Sequence, residues 1–149
     1  MKSCQMPPQI SLVLLLLATT IALALMSTSP ARADVNGIWV HKDGGRVRIR
    51  NCGEGVCGTI ASVRTDPETG RPATDKKNAD PNLRSRPLLG VPVLIGMRPT
   101  GPGKWTGHLY NVDDGHTYTG NLIELGPDSI RVEGCALAIC GGENLTRVK

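Results

Sequence analysis

All 18 glycines of this 149-residue chain lie beyond Ala33, together with eight of its 11 prolines. Glycine in a helix interior costs about 1 kcal/mol relative to alanine, and proline about 3. Punctuation this dense leaves no room for a long helix and favours short strands joined by turns. The strand pattern is plain in Arg46-Val-Arg-Ile-Arg50, where Val47 and Ile49 share one face and the three arginines the other. Strict alternation marks an antiparallel strand with one buried side. The arginine stripe is read as a solvated outer face rather than as an anion site.

The glycine-free start has a different character. Lys2 is followed by an almost wholly apolar run over residues 10–26, a Ser27-Thr-Ser-Pro30 break and Ala31-Arg-Ala33, an A-x-A cleavage signal. This predicts a secretory signal peptide over residues 1–33, cut near Ala33, in preference to a retained membrane anchor. No membrane span is then expected in the mature chain. Residues 34–149 form one domain, which at this size buries roughly two thirds of its unfolded surface. Without Lys2 and Arg32, the 17 Lys and Arg fall to 15 against 13 Asp and Glu. That balance gives no support for a nucleic-acid partner, and none is expected.

Four cysteines remain in the mature part, an even number that in an exported chain reads as two disulfides. They fall in two equal spacings, Cys52–Cys57 and Cys135–Cys140. Three pairings are open; we favour the local one in each case, because a four-residue connection between strand-like flanks sets the two thiols opposite each other. A four-thiolate zinc site is the functional rival, but such sites use tighter pairs and an oxidising compartment competes for the thiols. No metal and no cofactor are expected.

Further strands are expected over 37–42, 57–63, 88–95, 104–110, 117–125, 130–133 and about 140–148. Pro92 confines the 88–95 segment to an edge or a bulge, and a turn is expected over 100–103. Asp114-Gly115 is a hairpin signal. The polar segment 64–87, with a short helix near 82–85, is a long connection of the kind that is usually functional or mobile. The sum is an all-β, antiparallel, disulfide-stapled barrel of about eight strands, or a compact sandwich.

Several motifs follow one another along the chain. They are Gly37-x-Trp39, Cys52-Gly53 with Cys57-Gly58, Asp75-x-x-Asn78 and Leu83-Arg84-x-Arg86-Pro-Leu-x-Gly90. Trp105-x-Gly107-x-x-Tyr110-Asn, Asp114-Gly115-x-Thr-Tyr118-x-Gly120 and a Gly134-Cys135, Cys140-Gly, Thr146-Arg147 ending complete the order. Together they resemble the exported bacterial domain of unknown function 2147 family (DUF2147) over essentially the whole mature chain. Gly142-Glu-Asn-Leu145 stands where that resemblance leads us to expect an aromatic residue before Thr146-Arg147. The resemblance implies a Gram-negative envelope protein, hence the periplasm, with a barrel-like fold, and implies no activity. Gly37-x-Trp39 with Arg147 also resembles lipocalin-like barrels, in which the arginine lies over the tryptophan at the closed end. In that case Trp39 and Arg147 are structural, the guanidinium–indole contact being a cation–π attraction.

No nucleophile elbow, P-loop or metal-ligand helix is present. His116 beside Asp113 and Asp114 could act as an acid–base group, but solvated turn residues are the better explanation at a hairpin tip, so no catalytic residue is assigned. Asp75, Asn78, Arg84, Arg86, Tyr110, Asp114 and His116 are the candidate ligand-binding residues, the first four equally able to pin the 64–87 connection by hydrogen bonds and ion pairs. The expected function is a periplasmic binding module for a small apolar or amphipathic ligand, with the 64–87 connection and the 111–116 turn as gates. The alternatives are a protein-binding module, such as an inhibitor of an envelope protease, and a small hydrolase using His116.

Overall fold

The computed structural model describes residues 34–149. The expected signal peptide and its cleavage site lie outside the described residues. Eight antiparallel strands form a closed barrel in which each pairs with its neighbour in sequence and the last returns to the first. They are β1 (Gly37–Val40), β2 (Arg46–Cys52), β3 (Gly55–Ser62), β4 (Pro92–Gly101), β5 (Lys104–Asn111), β6 (His116–Gly126), β7 (Ser129–Ala136) and β8 (Ile139–Arg147). Of the two architectures expected, the barrel is the one formed. Both disulfides are local, Cys52–Cys57 across the β2–β3 hairpin and Cys135–Cys140 across β7–β8, with Cα separations of 5.8 and 4.0 Å.

The main departure from the expected strands is at β4. Residues 88–90 make a turn, closed by the Val91 N–H donating to the Leu88 carbonyl, and the strand starts only at Pro92. Proline at a strand's first residue sacrifices no ladder bond. The strand then runs past 100 to Gly101, so the expected turn shrinks to 102–103. Register shifts interrupt its pairing with both β3 and β5, and Gly96 takes a φ of +58°, the mark of a bulge. In place of a helix near 82–85 there is a single 3₁₀ turn, Pro81–Leu83, capped by the Asp80 carboxylate, which accepts from the Asn82 N–H.

Because the strands alternate in direction, the turn 41–45, the connection 63–91 and the turns 112–115 and 137–138 gather at one end. The turns 53–54, 102–103 and 127–128 gather at the other, with residues 34–36. The second end is filled by the apolar core, with a hollow of about 370 Å³ outside it beside Asn36, Asn51, Glu54 and Trp105. Trp39, Ile49, Met97, Leu122 and Ile130 are buried there with Val35, Val56, Leu94, Trp105 and Leu145; Leu145 is the buried residue of the stretch 142–145, where an aromatic residue was expected. Trp39 donates its indole N–H to the Val35 carbonyl at 2.9 Å. The Arg147 guanidinium lies 4.3 Å from the Trp39 ring centre and donates to the carbonyls of Asn36, Asp34 and Pro127 at 2.6, 2.7 and 2.9 Å.

Candidate functional site

The first end is hollow. A cavity of about 820 Å³ opens there, walled by Val47, Ile60, Leu94, Leu109 and Val132. Two glycines, Gly134 and Gly141, leave part of its wall without side chains. Gly107 pairs with Gly120, Gly120 with Gly134 and Gly134 with Gly141, so one row across β5–β8 carries no side chain. Directly paired residues share a face. The row faces inward, since a Cβ at Gly134 would meet Leu109 and Tyr118. At Gly107 and Gly120 a Cβ would meet the backbone of the neighbouring strand, so these two also permit the tight bend of the wall. At Gly141 nothing lies within 4 Å of the Cβ position.

One side of the mouth is charged. His41, just beyond β1, sets Nδ1 2.7 Å from the Asp43 carboxylate and Nε2 against the Glu143 carboxylate. Lys42 lies 3.5 Å from Glu143, and Arg64 lies 3.4 Å from Asp43. The Gly45 backbone N–H, followed by His41, holds the Asp43 carboxyl below its usual range. Glu143 shares its inward face with Gly141 and Leu145 by strand alternation.

The candidate ligand-binding residues fall into two hydrogen-bonded groups. Asp75, fully buried, accepts from the Tyr110 hydroxyl at 2.6 Å, from the Asn78 amide at 2.8 Å and from Arg86 Nε and Nη2 at 2.9 and 2.7 Å. Burial would push its pKa up, but the bonds from Tyr110, Asn78 and Arg86 outweigh this and hold it below 3.8. Burial, and then donation to Asp75, raises the Tyr110 phenol. Arg84 donates to the Asn78 carbonyl at 2.8 Å. This knot ties the 64–87 connection to β5.

In the second group Asp114 accepts from Tyr118 at 2.8 Å, Asn111 at 2.9 Å and the His116 backbone N–H at 2.8 Å. The His116 ring is largely exposed. Of the seven candidates, Tyr110 and Asp114 line the cavity, whereas Asp75, Asn78, Arg84, Arg86 and His116 do not. The two expected gates are joined: Lys77 Nζ donates to the Asp113 carbonyl at 2.6 Å. Trp39 and Arg147 sit at the filled end.

His41, Tyr118, Glu143, Gly134 and Gly141 line the cavity without being expected from the sequence. The glycines were visible singly; only the strand register aligns them. Among the described residues no cluster of three or more His, Cys, Asp or Glu is placed to hold a metal, and no helix is long and apolar enough to cross a membrane. Among the described residues all four cysteines are taken up in disulfides.

A search of the curated proteins finds no match. Among solved structures, a protein of the human pathogen Helicobacter pylori, described as belonging to the lipocalin family, is similar with a TM-score of 0.67 at 19% identity, over 78% of this chain and 84% of that one. At that identity the likeness is one of fold: a lipocalin-like barrel. Residues 37–147 match the family described as "Uncharacterized protein conserved in bacteria (DUF2147)". With that match spanning β1 to β8, the chain belongs to the DUF2147 family of bacterial proteins.

Proposed function

We propose that this protein is a binding module that takes the aliphatic part of a small apolar or amphipathic ligand into its barrel. The observation that carries this reading is the cavity of about 820 Å³, bordered by Gly134 and Gly141 and walled by branched aliphatic side chains. Cavities of roughly 300–1,000 Å³ are the usual size for small-molecule sites. Leu, Val and Ile walls suit flexible chains better than planar rings. The polar end of the ligand lies at the mouth, beside His41 and Glu143, with Tyr110 and Asp114 bordering it. Asp75, Asn78, Arg84 and Arg86 fix the shape of that mouth through the Tyr110 knot.

The same reading makes it an exported, periplasmic protein. Two disulfides suit an oxidising compartment, and the family is bacterial. Residues 1–33 serve as the cleaved signal peptide, so the mature protein starts at Asp34 and is a single domain. Intact mass of the protein from periplasmic extract tests this: a chain starting at Asp34 is expected, and one retaining residues 1–33 would overturn it. Calorimetric titration with medium-chain fatty acids, alcohols and amines tests the ligand. Saturable one-to-one binding is expected, and no saturable uptake of any of them would overturn it.

A further inference from the structure

β8 pairs with β7 along its whole length, from Ser129↔Thr146 to Ala136↔Ile139. On its other side only Thr146 and Arg147 are paired, with Val40 and Trp39. β1 is four residues long and turns away after Val40, where the His41 N–H bonds to the Gly45 carbonyl. Among the described residues, nothing pairs with the outer edge of β8 between Ile139 and Leu145. The six residues 139–144 are all exposed, a run of about 20 Å at ~3.4 Å per residue.

The register fixes which groups point outward. Val148 donates its N–H to the Ile38 carbonyl, so even-numbered residues face the β1 side. The 4.0 Å Cα separation of Cys135 and Cys140 is that of a pair exchanging no backbone bonds, typically ~4.5 Å. Cys140, Gly142 and Asn144 therefore turn their N–H and C=O groups to the open edge. Natural edges are blunted by charge, proline or brevity. This one holds two glycines and Ile139, which is 80% exposed, and its single charge, Glu143, is already paired with His41 and Lys42. Ile139 and Gly141 also line the cavity, so the edge borders an apolar space, and the Cys135–Cys140 bridge clamps the hairpin that carries it.

We infer that the β8 edge from Ile139 to Asn144 receives an extended peptide segment of another protein by strand addition. The segment alternates apolar residues, laid over Ile139 and Gly141 towards the cavity, with polar residues on the outer face. Backbone bonds supply the attachment and the alternation the selectivity. A second copy of this chain fits the edge poorly. Only even-numbered residues face the edge, so a symmetric pairing spanning the run centres on Gly142, and it would set the copy's Ala138 opposite Thr146, where Val40 already pairs.

Amide hydrogen exchange on the disulfide-intact protein tests this with hexapeptides that alternate Val, Leu or Ile with Thr, Ser or Lys. At saturating peptide, exchange at Cys140, Gly142 and Asn144 is expected to slow by about tenfold or more, with Gly141 and Glu143 unchanged because they bond to β7. Methylating the peptide's edge-facing amide nitrogens should abolish the effect. Asn144→Pro, which removes an outward N–H and keeps the β7 ladder, should weaken binding several-fold without changing the unfolding midpoint by much. Unchanged exchange across the whole peptide series would overturn the inference. So would protection that grows with protein concentration alone, which would make a second copy the occupant.

Discussion

Gly115 lies so close to the backbone carbonyl of Lys77 that the place of a Cβ is already occupied. Its φ of +76° is in the left-handed region as well. This contact locks the β5–β6 turn to the 64–87 connection, and the Lys77–Asp113 and Asn78–Tyr110 hydrogen bonds reinforce it. Gly44 has a similar φ of +89° with nothing within 4 Å, so the two glycines separate backbone strain from crowding. Gly44→Ala should cost about 1 kcal/mol from conformation alone, and Gly115→Ala about 3 kcal/mol or more. Urea unfolding midpoints measure both. Equal losses would show that the Lys77 contact carries no weight.

The buried Asp75 makes stability depend on acid. Its folded pKa lies below the usual 3.8, so the stabilisation it gives is complete above that value and is lost as the pH falls through the lowered one. Asp75→Asn should cost roughly 2–3 kcal/mol at neutral pH, since it strips charge-assisted bonds from Tyr110 and Arg86. The difference between the two proteins should shrink as the pH drops below about 4. Urea titrations at several pH values check this; a difference that stays constant would exclude an ionised Asp75 in the fold.

Arg147 is expected not to tolerate even lysine. Its guanidinium serves three carbonyls while stacked on Trp39, and an ammonium has neither the planar fork nor the stacking face. Arg147→Lys should cost about 2–3 kcal/mol and shift Trp39 emission to the red in a Trp105→Phe background. Unaltered emission and stability would mean that the filled end does not depend on this seal.

Local patterning in the sequence was enough to place β2, the β5–β6 hairpin and both disulfides, whereas the meeting of Trp39 and Arg147 was expected only from the resemblance to lipocalin-like barrels. Alternation and short Cys spacings are local signals that tertiary contacts do not override. β4 was misplaced because its apolar start, Leu88-Leu89, belongs to a turn, and because the bulge at Gly96 breaks the alternation. Tyr110 and Asp75 are 35 residues apart, and no local rule brings them together. The cavity itself was legible only as a possibility. Its glycines fall in one row because β5–β8 pair in one register, and Glu143 faces inward because β8 alternates from Leu145. Both facts depend on pairing, which composition does not encode.

The central claim is that the cavity holds a small aliphatic ligand, and Gly141 offers the cleanest way to test it. Its Cβ position faces open space and its φ is not in the left-handed region, so Gly141→Trp sets an indole into the cavity without straining the wall. Native mass spectrometry of the disulfide-intact wild-type and Gly141→Trp proteins, isolated side by side from periplasm and then offered the same medium-chain fatty acids, alcohols and amines, is the most direct measurement. The account predicts an added mass on the wild type that organic extraction removes, and none on the folded variant. A wild type that stays bare with every compound, or the same added mass on both proteins, would contradict it.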